Sequence, residues 1–148
     1  MPGLNKLIDL TGRRSDGALA MWQRLKAQCD EALKKLSLLK QHREHYRELL
    51  RSGLGEGMPA PSTMAYLGFI GQIDEVVLRQ ESEVGRLEEA CARQWEALVE
   101  IRREKRMYEI VSDRTASREL AAALRRAQAE IDDLLQRVGK APSASNFT

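Results

Sequence analysis

Residues 51–69 read RSGLGEGMPAPSTMAYLGF, and no other interior segment is so dense in helix breakers. Gly53, Gly55 and Gly57 come first, then Pro59 and Pro61. Such a segment suits a phosphate-cradling loop, a linker between domains, or the bend between two helices. A phosphate loop needs a strand before it and Gly-Lys-Ser/Thr after it. Here Met58-Pro59-Ala60-Pro61 follows, and what precedes is helical. The nucleotide reading therefore fails, and the flanks must separate linker from bend.

Upstream, steps of three and four residues give Trp22, Leu25, Cys29, Ala32, Leu36, Leu39, Arg43, Tyr46 and Leu50. Only Arg43 breaks this apolar seam, which has the spacing of a coiled coil. The seam weakens towards Gly12 and Gly17, while Leu4, Leu7, Ile8 and Leu10 still allow an amphipathic start. Downstream, Ser62 or Thr63 is the expected N-cap. The same spacing then gives Ile73, Val77, Gln80, Val84, Leu87, Cys91, Gln94, Leu98, Ile101, Lys105 and Tyr108. A register slip is expected at 109–119, with the stripe resuming in a new phase at Leu120, Leu124, Ala127, Ile131, Leu134 and Val138. The expected organisation is one elongated all-α domain: a helix over 4–52, a bend over 53–61, a helix over 62–138, and a disordered tail over 139–148. A helix of roughly 75 residues is on the order of 110 Å long. No alternating β pattern competes.

Bulk composition agrees with helices that bury one narrow stripe. Charged residues make up 31% of the 148, aromatic residues 5%. A net charge of +2 gives no global case for nucleic acid. No apolar run approaches the roughly 20 residues of a membrane span. MPGLNKLIDL lacks a signal-peptide pattern, so a cytosolic location is expected. Cys29 and Cys91 form no CxxC pair and fall on the seam as small hydrophobic residues.

Charge selects how the two seams meet. Residues 72–100 carry eight acids and three bases, whereas residues 15–43 carry six bases and three acids. An intramolecular antiparallel hairpin sets the acidic segment beside the basic one; a parallel homodimer sets acid on acid. With paired numbers summing to about 115, Trp22 and Trp95 lie at one level. Cys29 and Cys91 are then offset by roughly 7 Å along the axis, which disfavours a disulfide. The first helix covers the second only to about Val111. The stripe from Leu120 to Leu134 projects beyond it by on the order of 40 Å and reads as a partner-binding end.

Candidate catalytic and metal-ligating groups do not assemble. His42 and His45 share a helix face, but two imidazoles do not fill a zinc shell. Glu88-Glu89 and Asp132-Asp133 lack the cleft that catalytic carboxylates need. The run Arg102-Arg103-Glu104-Lys105-Arg106 suits either an acidic partner or a solvated face, and lacks the aromatics of a single-strand binder. No cofactor, metal or nucleic acid is expected.

The ordered series LNKLIDL (4–10), Asp16 and Ala18, QHREHYRELL, the Gly-rich bend and YLGFIGQIDEVV resembles the flagellar export protein family FliJ. Trp95 with the basic RREKR, Asp113-Arg114 and the DDL of 132–134 extend the likeness to about residue 138. The stalk proteins of virulence type III secretion are similar in architecture. The resemblance implies an antiparallel two-helix coiled coil, similar to the γ stalk of rotary ATPases, and a non-catalytic role. It implies three partners: the hexameric ring of the flagellar export ATPase, the cytoplasmic part of the membrane export gate, and export chaperones. It further implies a place at the inner face of the cell membrane. Carried over by position, the gate-facing residues are Leu39, His42, Tyr46, Phe69, Ile73, Val76 and Gln80. Of these Leu39, Tyr46 and Ile73 also lie on the seam, so core and contact roles both stand for them. The ATPase-ring contact falls to Leu120, Leu124, Ala127, Ile131 and Leu134. The alternatives are the equivalent virulence stalk and a structural coiled coil without an ATPase partner.

Overall fold

The computed structural model describes residues 2–140. Two helices account for nearly all of them: α1, Pro2–Gly55, and α2, Ala60–Lys140. They pack against each other as an all-α antiparallel hairpin, with no strand among the described residues. The expected tail falls mostly outside the described residues, apart from Gly139 and Lys140, which continue α2.

The bend is shorter than expected, because Gly53 and Gly55 are helical and Pro61 lies within α2. Termination rests on Gly57, whose φ of 84° is the left-handed conformation that favours glycine. Met58 N–H donates to the Gly53 carbonyl at 2.8 Å, and Gly57 N–H to Leu54 at 3.3 Å. This is the Schellman arrangement, which satisfies carbonyls that the helix end leaves without partners. The Met58 side chain folds over Gly53, where an added Cβ would meet its terminal methyl. The restart also comes earlier than the expected cap at Ser62 or Thr63. Thr63 is already inside the first turn, its N–H donating to the Pro59 carbonyl at 3.1 Å. Pro61 costs little there, since first-turn N–H groups have no helical partner.

The chain forms two compact units. One is Arg13–Arg102; the other joins the described residues up to Gly12 to those from Arg103 onward. In the first unit the core is a single file of small and medium side chains. Cys29, Ala32, Leu36, Val77, Val84 and Leu87 form it, with Leu39 and Ile73 packed against them. Leu98 is fully buried. Contacts between the helices run in antiparallel order. Arg102 Nε donates to Ser15 Oγ at 3.4 Å, and Gln94 Nε2 to the Ala18 carbonyl at 3.2 Å. The Trp22 and Trp95 rings meet with centroids 5.1 Å apart. Gln80 Nε2 donates to the Ala32 carbonyl at 3.0 Å. Lys40 pairs with Glu81 at 3.5 Å, and Asp74 accepts from Arg43 at 3.2 Å. Paired numbers thus sum to between 112 (Ala32 with Gln80) and 121 (Lys40 with Glu81). Cys29 and Cys91 are both free thiols.

The seam is longer than its apolar residues suggest. Upstream it continues through Ala18, Ser15 and Thr11 in the same steps of three and four. Thr11 is 1% exposed. Its hydroxyl donates to carbonyls of its own helix, at 2.7 Å to Leu7 and 3.0 Å to Ile8, so it enters the interface already satisfied. Arg43, the polar break within the seam, is half-buried and carries its charge out to Asp74, which Arg47 also reaches at 3.5 Å. In the second unit the half-buried face keeps the old period past the expected register slip. The half-buried residues after Tyr108 include Ser112 and Thr115, which keep the old period with polar side chains. Leu120 and Leu124 belong to a different phase and are exposed.

These roles predict opposite effects for two neighbouring glycines. Gly57→Ala should cost about 1 kcal/mol, the penalty of left-handed backbone for a residue with a Cβ. Gly55→Ala, with open space around it, should stabilise by about 0.5–1 kcal/mol. Urea unfolding of both variants checks the pair.

Candidate functional site

Tyr46 of α1 anchors the surface next to the bend. Its ring meets Phe69 edge to face at 4.6 Å and Tyr66 at 6.5 Å, and His45 lies 5.7 Å away. Tyr46, Ala65, Tyr66 and Phe69 line an open groove of about 260 Å³. Helical spacing brings Tyr66 and Phe69, three residues apart on α2, to one side, where they face Tyr46 across the pair. Phe69 remains 42% exposed and Val76 40%, and His42 is exposed. The other residues expected here are engaged inside the hairpin. Leu39 and Ile73 pack on the core, and the Gln80 amide is bonded to Ala32.

Several neighbours were not legible as candidates. Met64 is 72% exposed, and Leu67 and Leu54 are also exposed. A usable signal was present, because no charged residue occurs from Gly57 to Ile73. A solvated helix face of that length normally carries charge.

The second candidate surface is the C-terminal part of α2. From residue 116 to 139 every residue is exposed except half-buried Ala122. Leu120, Leu124, Ala127, Ile131 and Leu134, five residues expected as one stripe, are all in this class. Their spacing of four and three keeps them on one side of the helix.

Elsewhere the grooves are shallow and open. Trp22, Lys26, Cys29, Glu88, Cys91, Ala92 and Trp95 line one of about 350 Å³. Burial, followed by the negative charge of Glu88, pushes the Cys29 thiol above its ordinary pKa and away from the reactive thiolate. His42 and His45 are exposed. No group of three or more His, Cys, Asp or Glu is placed to hold a metal ion among the described residues. Glu88-Glu89 and Asp132-Asp133 are exposed helix faces. No helix among the described residues is long and apolar enough to cross a membrane.

Two helices joined by a tight bend, with apolar side chains left outside the seam, define a coiled-coil hairpin that presents contact surfaces. The sequence model of the family described as Flagellar FliJ protein matches residues 1–141. The chain belongs to that family and is a component of flagellar protein export. No curated protein matches the chain, and no solved structure does.

The exposure of the bend-side residues predicts a stability contrast. Leu98→Ala should lower unfolding free energy by about 2–4 kcal/mol through the cavity it leaves. Phe69→Ala should cost no more than about 1.5 kcal/mol, mostly its ring contact with Tyr46. Equal losses in urea titrations would place Phe69 in the core rather than on a contact surface.

Proposed function

We propose that this chain is the non-catalytic central stalk of the flagellar export ATPase. It promotes assembly of the hexameric ring, contacts the cytoplasmic part of the export gate, and escorts export chaperones. It works in the cytoplasm, at the inner face of the membrane beneath the flagellum. Membership of the FliJ family supports the setting. The observation that carries the ring contact is the apolar stripe Leu120, Leu124, Ala127, Ile131 and Leu134, which α1 leaves exposed. Apolar surface of this kind on one helix face suits insertion into a partner.

The gate contact rests on the bend side. His42, Tyr46, Phe69 and Val76 supply the accessible part of that surface, while Leu39, Ile73 and Gln80 support it from within the hairpin. The exposed Met64 and Leu67 enlarge it on α2. This division assigns different partners to different stretches of the chain.

Truncation separates them. Deleting residues 112–148 should abolish co-purification with the export ATPase and stimulation of its turnover, while binding to the gate domain is kept. ATPase binding that survives the deletion would overturn the assignment of the stripe. Stable self-association with no effect on the ATPase would favour a purely structural coiled coil.

A further inference from the structure

One exposed row of α2 is symmetric in spacing and opposite in charge at its two ends. The helix runs unbroken from Ala60 to Lys140. Along it Glu89, Glu96, Glu100, Met107, Arg114, Arg118 and Arg125 follow one another at steps of 7, 4, 7, 7, 4 and 7 residues. The span from 89 to 125 is 36 residues, or about ten turns of helix. The seven side chains therefore form a straight row, within roughly 40° of one another around the axis and about 54 Å long. All seven are exposed, and Met107 at the midpoint is 66% exposed. Three acids lie on one side of Met107 and three arginines on the other, at matching distances from it. By the same spacing the apolar stripe from Leu120 to Leu134 lies on another side of the helix.

We propose that this row pairs antiparallel with the same row of a second copy of the chain, about a two-fold axis at Met107. Glu100 then meets Arg114 of the second copy, Glu96 meets Arg118, and Glu89 meets Arg125. The symmetry makes each pair twice, and Met107 packs on its own copy at the centre. Arginine suits this role, because its planar fork takes a carboxylate by two hydrogen bonds. A parallel pair in register would instead set acid on acid and arginine on arginine, which is unfavourable. Glu89 also pairs with Arg93 of its own helix at 3.9 Å. Both groups are well exposed, so that contact is given up at little cost. Arg93 and Arg103 flank the row and carry the same sign as the arriving arginines, which keeps the association weak. The row shares no residue with the bend groove or with the stripe from Leu120 to Leu134. The inference therefore rests on neither the gate nor the ATPase assignment.

Sedimentation equilibrium of the full chain is the test. At low salt the mass should rise with concentration from 16.8 kDa towards twice that value. High salt should suppress the rise, because exposed charges are screened. Glu96→Arg alone and Arg118→Glu alone should each weaken the dimer by about tenfold, since the two-fold counts every lost pair twice. The two substitutions together restore opposite charges across the axis and should recover the dimer. All of these sites are exposed, so helix content should be unchanged. Orientation is read by disulfide trapping with Cys29 and Cys91 replaced by Ala. Met107→Cys should cross-link to its own copy, and Ala121→Cys should not. A chain that stays monomeric at millimolar concentration and low salt overturns the proposal. So does a double reversal that dimerises no better than the single ones, or cross-linking of Ala121→Cys rather than Met107→Cys.

Discussion

Two glutamine side chains set the register of this hairpin. Gln80 donates to the Ala32 carbonyl and Gln94 to the Ala18 carbonyl. Both donors are fourteen residues apart on α2, and both acceptors fourteen residues apart on α1, so the same polar rung recurs after two heptads. Alanine at each acceptor position leaves room for the amide to reach the opposite backbone. A hydrophobic seam alone tolerates a shift by one heptad, because leucine and valine rungs are interchangeable. Such a shift would put Leu25 or Leu39 where Ala32 now lies, and the larger side chain would hold the Gln80 amide off the backbone; an unmet buried donor costs about 1–3 kcal/mol. Polar side chains inside a narrow core thus give up some burial and gain a unique pairing.

The candidate surface beside the bend follows from that pairing. With the register fixed, Tyr46 faces Phe69 and Tyr66, and a small aromatic groove forms beside the bend. In the unit that joins the described residues up to Gly12 to those from Arg103 onward, the stripe after Leu120 is exposed. Surface ion pairs contribute little by comparison, since most are between half-exposed groups on one helix, i to i+3 or i+4. The pairs that cross between helices, Lys40 with Glu81 and Arg43 and Arg47 with Asp74, favour the antiparallel arrangement over a parallel one.

Much of this was legible in the sequence, where side chains announce burial by being apolar. The seam from Trp22 to Leu50 and the meeting of Trp22 with Trp95 follow from period and charge. The flanks of the seam were hidden because Thr11, Ser15, Ser112 and Thr115 are polar. Thr11 is buried all the same, its hydroxyl bonded to its own helix. The same polar residues carry the old period past the point where the apolar stripe changes phase. At the bend, three glycines looked equivalent, and only backbone geometry shows that Gly57 needs the left-handed conformation. Among candidate contact residues, the uncovered stripe could be read from helix lengths alone. Gln80 could not, because its role depends on which carbonyl lies opposite. Met64 and Leu67 were missed because an isolated exposed apolar residue carries no signal; the uncharged run around them does.

Two exposed surfaces are proposed to meet different partners. Site-specific photo-crosslinking in flagellated cells tests this most directly, with benzoylphenylalanine placed at Leu124 in one strain and at Phe69 in another. The account predicts an adduct with the export ATPase from Leu124 and an adduct with the export gate protein from Phe69. The same adduct from both positions, or an ATPase adduct from Phe69 alone, would contradict it.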